Sequence, residues 1–259
     1  MILENKGIIT DNNYYEDKEY ITASMVKQAL QGSKKQFDYA MQNSKESEAM
    51  LVGSAFHCMM LEPDKFSKLY AFEPAMDRRT KAGKEYISQW QEDNKDIPYH
   101  IPGKYEEMLL NMKDSLSNHP MYNNLIKDNG EKEVIKLFEL EKFKCKSKID
   151  YYDVDDNYIV DIKTCNSVKV DDIVESIKKY MYGVQAAFYL DGIKAHKFYF
   201  VFIEKKEPYD IVIIDFISLE DGRKAYKAGI KNINTFRELD DTSTINVPCY
   251  SMFNKIISM

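Results

Sequence analysis

The sequence predicts an α/β fold: a mixed sheet with helices packed on both faces. Two observations carry this. Up to about residue 130, apolar residues recur at helical spacing between capping and breaking residues; from Glu131 the chain turns to runs rich in β-branched and aromatic residues. After three such runs helical spacing returns, and then strands again, which is the order of a sheet with a helical crossover.

Thr22 or Ser24 caps the first helical stretch, over 25–31, and further helices follow over 34–42 and 48–61. Pro63 opens a new turn over 64–70. Stretches 80–94 and 103–117 read as amphipathic helices, with Trp90 and the pair Leu109-Leu110 as core candidates. His119-Pro120 starts a short helix to about 127. Strands are expected over 134–140, 143–152 and 158–163, helices over 170–179 and 182–190, and strands over 197–204 and 210–217 around a turn near Pro208. A last helix covers about 221–238. Neither an internal repeat nor a low-complexity linker interrupts the chain. The 259 residues read as a single domain: a mainly helical part over 1–130, a sheet core over 131–217, and a C-terminal helix and tail over 218–259.

Composition narrows the class. Hydrophobic residues make up 44% of the chain, as in globular proteins, and no apolar run approaches membrane-spanning length. Met1-Ile2-Leu3 gives way at once to Glu4-Asn5-Lys6, which is no signal peptide. Cys58, Cys145, Cys165 and Cys249 are scattered without metal-type spacing, so a reducing, cytoplasmic setting is expected. A net charge of −6 argues against DNA binding over the whole surface, but not against local positive charge around an acidic centre.

The informative segment is Tyr158-Ile159-Val160-Asp161-Ile162-Lys163-Thr164. On a strand, Asp161 and Lys163 share one face while Val160 and Ile162 face the packing. The preceding strand brings in Asp150. A turn at Asp155-Asp156 sets Asp150 opposite Asp161, and a turn at Asp156-Asn157 sets it opposite Lys163; a three-residue loop would break the parity. Facing carboxylates repel, and a divalent cation removes that penalty. Asp93-Asn94-Lys95 repeats the Asp-x-Lys pattern without an apolar strand and reads as solvated surface. Gln185 and Tyr189 lie four apart on one helical face, and His57 sits inside an otherwise apolar helix. Arg78, Arg79, Lys81 and Lys84 form a candidate phosphate clamp, against the plainer reading of a solvated helix start. Lys142, Lys144, Lys146 and Lys148 have strand periodicity and, on a regular strand, share the face of Asp150, a basic stripe suited to a DNA backbone or else a row of solvated lysines on an exposed face. His100, His119 and His196 take no role, and Met59-Met60 reads as core filler.

In the order His57, Glu133, Asp150, Asp161-Ile162-Lys163, Gln185-x-x-x-Tyr189, the chain resembles the PD-(D/E)XK nuclease superfamily in its RecB-like branch. Gly53-Ser54-Ala55-Phe56-His57 with Leu61-Glu62-Pro63, and the stretch from Asp77 to Lys84, are similar to the RecE-type (exonuclease VIII-like) exodeoxyribonucleases of phages and prophages. The resemblance runs from about residue 20 to 204. It implies a restriction-endonuclease-like αβββαβ core with the metal site on the central hairpin. Asp150, Asp161, the Ile162 carbonyl and His57 would hold Mg²⁺ or Mn²⁺, with Glu133 a looser candidate beside Glu131 and Glu139. Lys163 would orient the attacking water or stabilise the phosphoryl oxygens, and Gln185 and Tyr189 would position the strand or the Lys163 end of the site. Relatives with an iron–sulfur cluster need three clustered cysteines after the Gln-x-x-x-Tyr helix; only Cys249 follows it here, so no iron–sulfur cluster is expected.

The activity implied is 5′→3′ hydrolysis of linear double-stranded DNA from its ends. It would leave 3′ single-stranded tails for a single-strand annealing partner, with the enzyme a ring-shaped homo-oligomer in the cytoplasm of a bacterial host. Three readings compete with it: an endonuclease or helicase–nuclease accessory module, a non-catalytic DNA-end binder, and an unrelated interaction domain.

Overall fold

The computed structural model describes residues 1–5, 9–11, 13–43, 47–77 and 79–239. A two-residue strand, β1 (Ile2–Leu3), precedes three helices, α1 (Ala23–Gln31), α2 (Lys34–Gln42) and α3 (Glu48–Leu61). Each of these helices begins where a side-chain oxygen accepts an otherwise orphaned backbone N–H: Thr22 from Met25, Ser33 from Gln36 in a capping box, Ser47 from Met50. Then come α4 (Pro63–Leu69), β2 (Tyr70–Phe72), α5 (Lys81–Asp93), β3 (Tyr99–Ile101), a 3₁₀ turn at Gly103–Tyr105, α6 (Glu106–Ser117) and α7 (Pro120–Leu125). His119 caps α7, its Nδ1 accepting the Tyr122 N–H at 3.3 Å, a role the sequence reading did not assign. The parallel pair β2–β3 was not anticipated either, because three residues are too few for an alternation pattern to show.

From β4 (Glu131–Leu140) the chain runs through β5 (Phe143–Asp153), β6 (Tyr158–Cys165), α8 (Val170–Lys179), α9 (Tyr182–Ile193), β7 (Lys197–Glu204), β8 (Ile211–Asp215) and α10 (Glu220–Glu238). The sheet order is β1-β4-β5-β6-β7-β8, antiparallel throughout except for β6–β7, which α8 and α9 bridge. The expected αβββαβ order and mixed sheet are therefore present. One core, on the side of α1, α9 and α10, includes Phe138, Ile159, Phe188 and Phe200. The second, under α3 and α6, includes Phe56, Leu109, Val160 and Ile162. Of the expected core residues on α5 and α6, Leu109 is fully buried, but Leu110 is 48% exposed and Trp90 is half-buried against His100.

The basic stripe of β5 is not an open track. Glu141 and Lys142, with φ of 51° and 71°, make the two-residue turn between β4 and β5, so Lys142 is off the strand. Asp11 and residues 13–20 contact the other three lysines. Lys144 pairs with Glu19 at 2.6 Å, and Lys146, fully buried, donates to the carbonyls of Tyr14 and Asp17 and to the Asp17 carboxylate. Lys148 pairs with Asp11 at 3.0 Å. A stripe read as a surface for phosphate is instead the anchor of the N-terminal segment.

Candidate active site

Three adjacent strands bring three carboxylates into line. The β4–β5 register sets Lys132 opposite Tyr151 and Val134 opposite Ile149, which puts Glu133 beside Asp150. The β5–β6 register, Tyr151 with Val160 through Asp153 with Tyr158, puts Asp150 beside Asp161. This is the first of the two expected registers, reached through a four-residue loop, Val154 to Asn157, whose even length keeps the parity. Regular pairing breaks down along this line. Glu133 has a φ of 47°, uncommon for a residue with a side chain. Ile149 and Tyr151, two apart, belong to opposite cores where a regular strand would place them on one face. Asp150 therefore does not simply continue the lysine face. Its Oδ2 accepts the Ile162 N–H at 2.7 Å.

His57 comes in from α3, with Nδ1 3.4 Å from Asp150 Oδ2 and 3.8 Å from Glu133 Oε1. Among the described residues, His57, Glu133 and Asp150 form the one group able to hold a metal, with ligand atoms within 4.8 Å of one another. Glu133 Oε1 is buried without a hydrogen-bond donor, and Oε2 lies 3.2 Å from Lys148. The other candidate glutamates are placed elsewhere: Glu131 pairs with Lys136, and the Glu139 backbone holds Met1. Two hard carboxylates and an imidazole, one carboxylate oxygen unsatisfied, fit a cation of the Mg²⁺ or Mn²⁺ type.

Asp161 is buried and lies on the side of the sheet facing α9. Lys163 forms an ion pair with its Oδ2, and Gln185 Nε2 donates to its Oδ1 at 2.6 Å. Tyr182, one turn before Gln185, lies under the Lys163 ammonium at 5.1 Å. The Lys27 ammonium, from α1, lies 5.5 Å from the same ring and donates to Gln185 Oε1 at 3.1 Å. Neither Tyr182 nor Lys27 was foreseen. Tyr182 was legible as i−3 of Gln185 on the same helical face, but no sequence signal ties Lys27 to residues 158 positions away.

The electrostatics follow from burial opposed by partners. Burial would lower the His57 pKa, but Asp150 and Glu133 outweigh it and raise it to about 10, so the imidazole is protonated when no metal is bound. Burial would raise Asp150, but His57, Lys163 and the Ile162 N–H hold it below the ordinary carboxylate range. Burial raises Asp161 despite Lys163, with the Asp150 charge adding to the effect. Lys163 stays protonated, the carboxylates overcoming its burial.

Of the remaining expected residues that are described, only Ile162 touches this cluster. Tyr189 is buried between Phe188 and Phe198 and lines a cavity of about 150 Å³ with Tyr14, Tyr15 and Lys18. Ile162 packs its side chain in the second core and offers its N–H to Asp150. At the start of α5, Arg79 forms a forked pair with Asp77 at 3.0 and 3.1 Å, Lys81 lies 3.8 Å from Glu85, and Lys84 is exposed. Arg78 lies outside the described residues. No described helix is long and apolar enough to cross a membrane.

Comparison with known proteins bears on the fold and the family. The family model described as a PDDEXK-like domain of unknown function (DUF3799) matches residues 22–248. That span runs past the resemblance read from the motifs and takes in the C-terminal helix. A crystal structure of a candidate exonuclease from Eubacterium rectale superimposes with a TM-score of 0.63 at 19% identity, covering 93% of this chain and 95% of its own. A phage-related exonuclease from Haemophilus somnus 129PT aligns over 84% of this chain and 95% of its own at 15% identity, but its TM-score of 0.38 carries no argument. No curated protein matches significantly. With the αβββαβ sheet, the carboxylate row and a family match over most of its length, the chain belongs to the PDDEXK-like family DUF3799 and so to the PD-(D/E)XK superfamily.

Proposed function

We propose that this protein is a divalent-metal-dependent exodeoxyribonuclease that degrades linear double-stranded DNA from its ends. The observation that carries the reading is the His57–Glu133–Asp150 cluster set beside the Asp161–Lys163–Gln185 network, two half-sites joined at the hydrogen bond from Ile162 to Asp150. His57, Glu133 and Asp150 would hold Mg²⁺ or Mn²⁺, with Asp161 and the Ile162 carbonyl completing the site. The bound ion would supply Lewis-acid activation of the phosphodiester and a lowered pKa for water. Lys163, kept cationic by its carboxylate neighbours, neutralises charge that develops on the phosphoryl oxygens. Gln185 holds one Asp161 oxygen and leaves the other to Lys163.

The resemblance to RecE-type enzymes supports 5′→3′ polarity, 3′ tails handed to an annealing partner in recombination, and a ring-shaped oligomer. Arg78, Arg79, Lys81 and Lys84 are proposed to meet the DNA backbone, and Tyr189 to support the Gln185 helix from within the core.

The test incubates linear and covalently closed duplex DNA with Mg²⁺, Mn²⁺ or EDTA, beside Asp161→Asn and Lys163→Met. Metal-dependent loss of linear DNA alone is expected, with each substitution slowing it by about 10²–10³-fold or more. Cutting of closed circles would make it an endonuclease. DNA retention without hydrolysis under any metal would make it a binder and end the catalytic reading.

A further inference from the structure

We propose that Lys27 is a positioning residue of the site, acting through Gln185: it holds the Gln185 amide in the orientation that presents Nε2 to Asp161. With Lys27 protonated, the hydrogen-bonding chemistry allows one arrangement. An ammonium only donates and a carboxylate only accepts, so an amide between them must turn its oxygen to Lys27 and its nitrogen to Asp161. The observed contacts are these, Lys27 Nζ to Gln185 Oε1 at 3.1 Å and Gln185 Nε2 to Asp161 Oδ1 at 2.6 Å. The two elements meet far apart in the chain, Lys27 on α1 and Gln185 on α9, so the link also fixes the docking of α1 at the site.

The surroundings of Lys27 also oppose its charge. Its ammonium shares the Tyr182 ring with that of Lys163, two like charges against one aromatic ring. Burial and the Lys163 charge pull its pKa down to about 7 against the pull of Asp161. A residue whose charge is held at such a cost, within a cluster of reacting groups, is characteristic of a functional site. With Oε1 occupied by Lys27, Gln185 cannot swing away from Asp161. Asp161 in turn keeps Oδ2 for Lys163, and the proposed chemistry depends on that pairing.

The kinetic part of this inference rests on the nuclease reading; the structural part does not, and the experiment separates them. The side-chain NH₂ resonances of Gln185 are identified in ¹⁵N spectra by their loss in Gln185→Leu. They should move in Lys27→Met and return towards the wild-type position in Lys27→Arg, whether or not the protein hydrolyses DNA. On linear duplex DNA, Lys27→Met should lower kcat by about 10- to 100-fold with little change in KM, the scale of a misplaced catalytic group. The double variant Lys27→Met/Gln185→Leu should be no slower than the slower single one. If Lys27→Met does not fold, Lys27→Gln takes its place. An unmoved Gln185 resonance overturns the inference, as does a double variant whose losses multiply or a defect confined to KM. Absence of hydrolysis in the wild type sinks the nuclease reading alone and leaves the resonance to decide the role of Lys27.

Discussion

Replacing His57 with glutamine should destabilise the metal-free protein in a strongly pH-dependent way. The imidazolium lies 3.4 Å from Asp150 and 3.8 Å from Glu133, both largely buried, and glutamine keeps hydrogen-bonding capacity while removing the charge. Removing one partner of a buried ion pair costs about 3–5 kcal/mol, because the remaining charge is left uncompensated. The pKa leads to the same scale: about 10 in the folded chain against an ordinary 6.5, at about 1.4 kcal/mol per unit, gives a ceiling near 5 kcal/mol. The folded-state value is the higher, so the stabilisation is complete below about pH 6.5, declines as pH rises, and is gone above about pH 10. In EDTA near pH 6 the variant should melt about 6–20 °C below wild type, at about 2–4 °C per kcal/mol. The gap should narrow by pH 8 and nearly close at pH 10. Equal melting near pH 6, or a gap that does not depend on pH, would refute the assignment of His57 as the internal counter-ion.

Other parts of the molecule make their own predictions. Lys146→Met should strand two carbonyls and the Asp17 carboxylate, costing about 1–3 kcal/mol. Limited proteolysis should then cut within residues 13–20; unchanged resistance would show that the lysine does not anchor that segment. Gly192→Ala would put a Cβ 2.4 Å from the Phe138 ring; overpacking costs about 1–3 kcal/mol, offset in part by about 1 kcal/mol of helix propensity. An unchanged urea midpoint would contradict so close an approach of α9 to β4. Neutralising Arg79, Lys81 and Lys84 together should flatten the dependence of log K for DNA on log salt by up to about 3, near 0.9 for each phosphate no longer neutralised. An unaltered slope would leave them as the solvated helix start their exposure also fits.

The elements were legible where chain-local signals coincide. The cap read at Thr22 is the one the structure uses, and the helices over 34–42 and 48–61 match because their apolar periodicity is local to the chain. Asp161 and Lys163 could be singled out because a charged pair on an apolar strand is anomalous in a single stretch, and Gln185 because it shares a helical face with Tyr189. What was hidden depends on tertiary contact. Lys144 is exposed, but Lys146 and Lys148 are covered, because strand periodicity says which residues share a face and not what lies over it; here Tyr14, Asp17 and Asp11 do. Glu133 could not be chosen over Glu131 and Glu139, since all three share one strand parity and only the register beside Asp150 and the arrival of His57 distinguish them. Lys27 was invisible for the same reason.

The Asp150 hydrogen bond bears on how the site should be disabled. Among the described residues, pairing of β5 with β6 ends at Tyr151–Val160, and at the next position the Asp150 carboxylate takes the N–H of Ile162. The side chain thus works as a zip-stop, ending the pairing of two strands beside the proposed metal site. Alanine at position 150 would remove the proposed ligand and the stop together and let the ladder close by another rung, so an inert alanine variant would confound lost chemistry with a reshaped cleft. Asparagine keeps an acceptor for Ile162 and removes only the charge. For this protein the informative catalytic knock-out is Asp150→Asn, and comparing its DNA binding with that of Asp150→Ala would measure how far the open seam matters in itself.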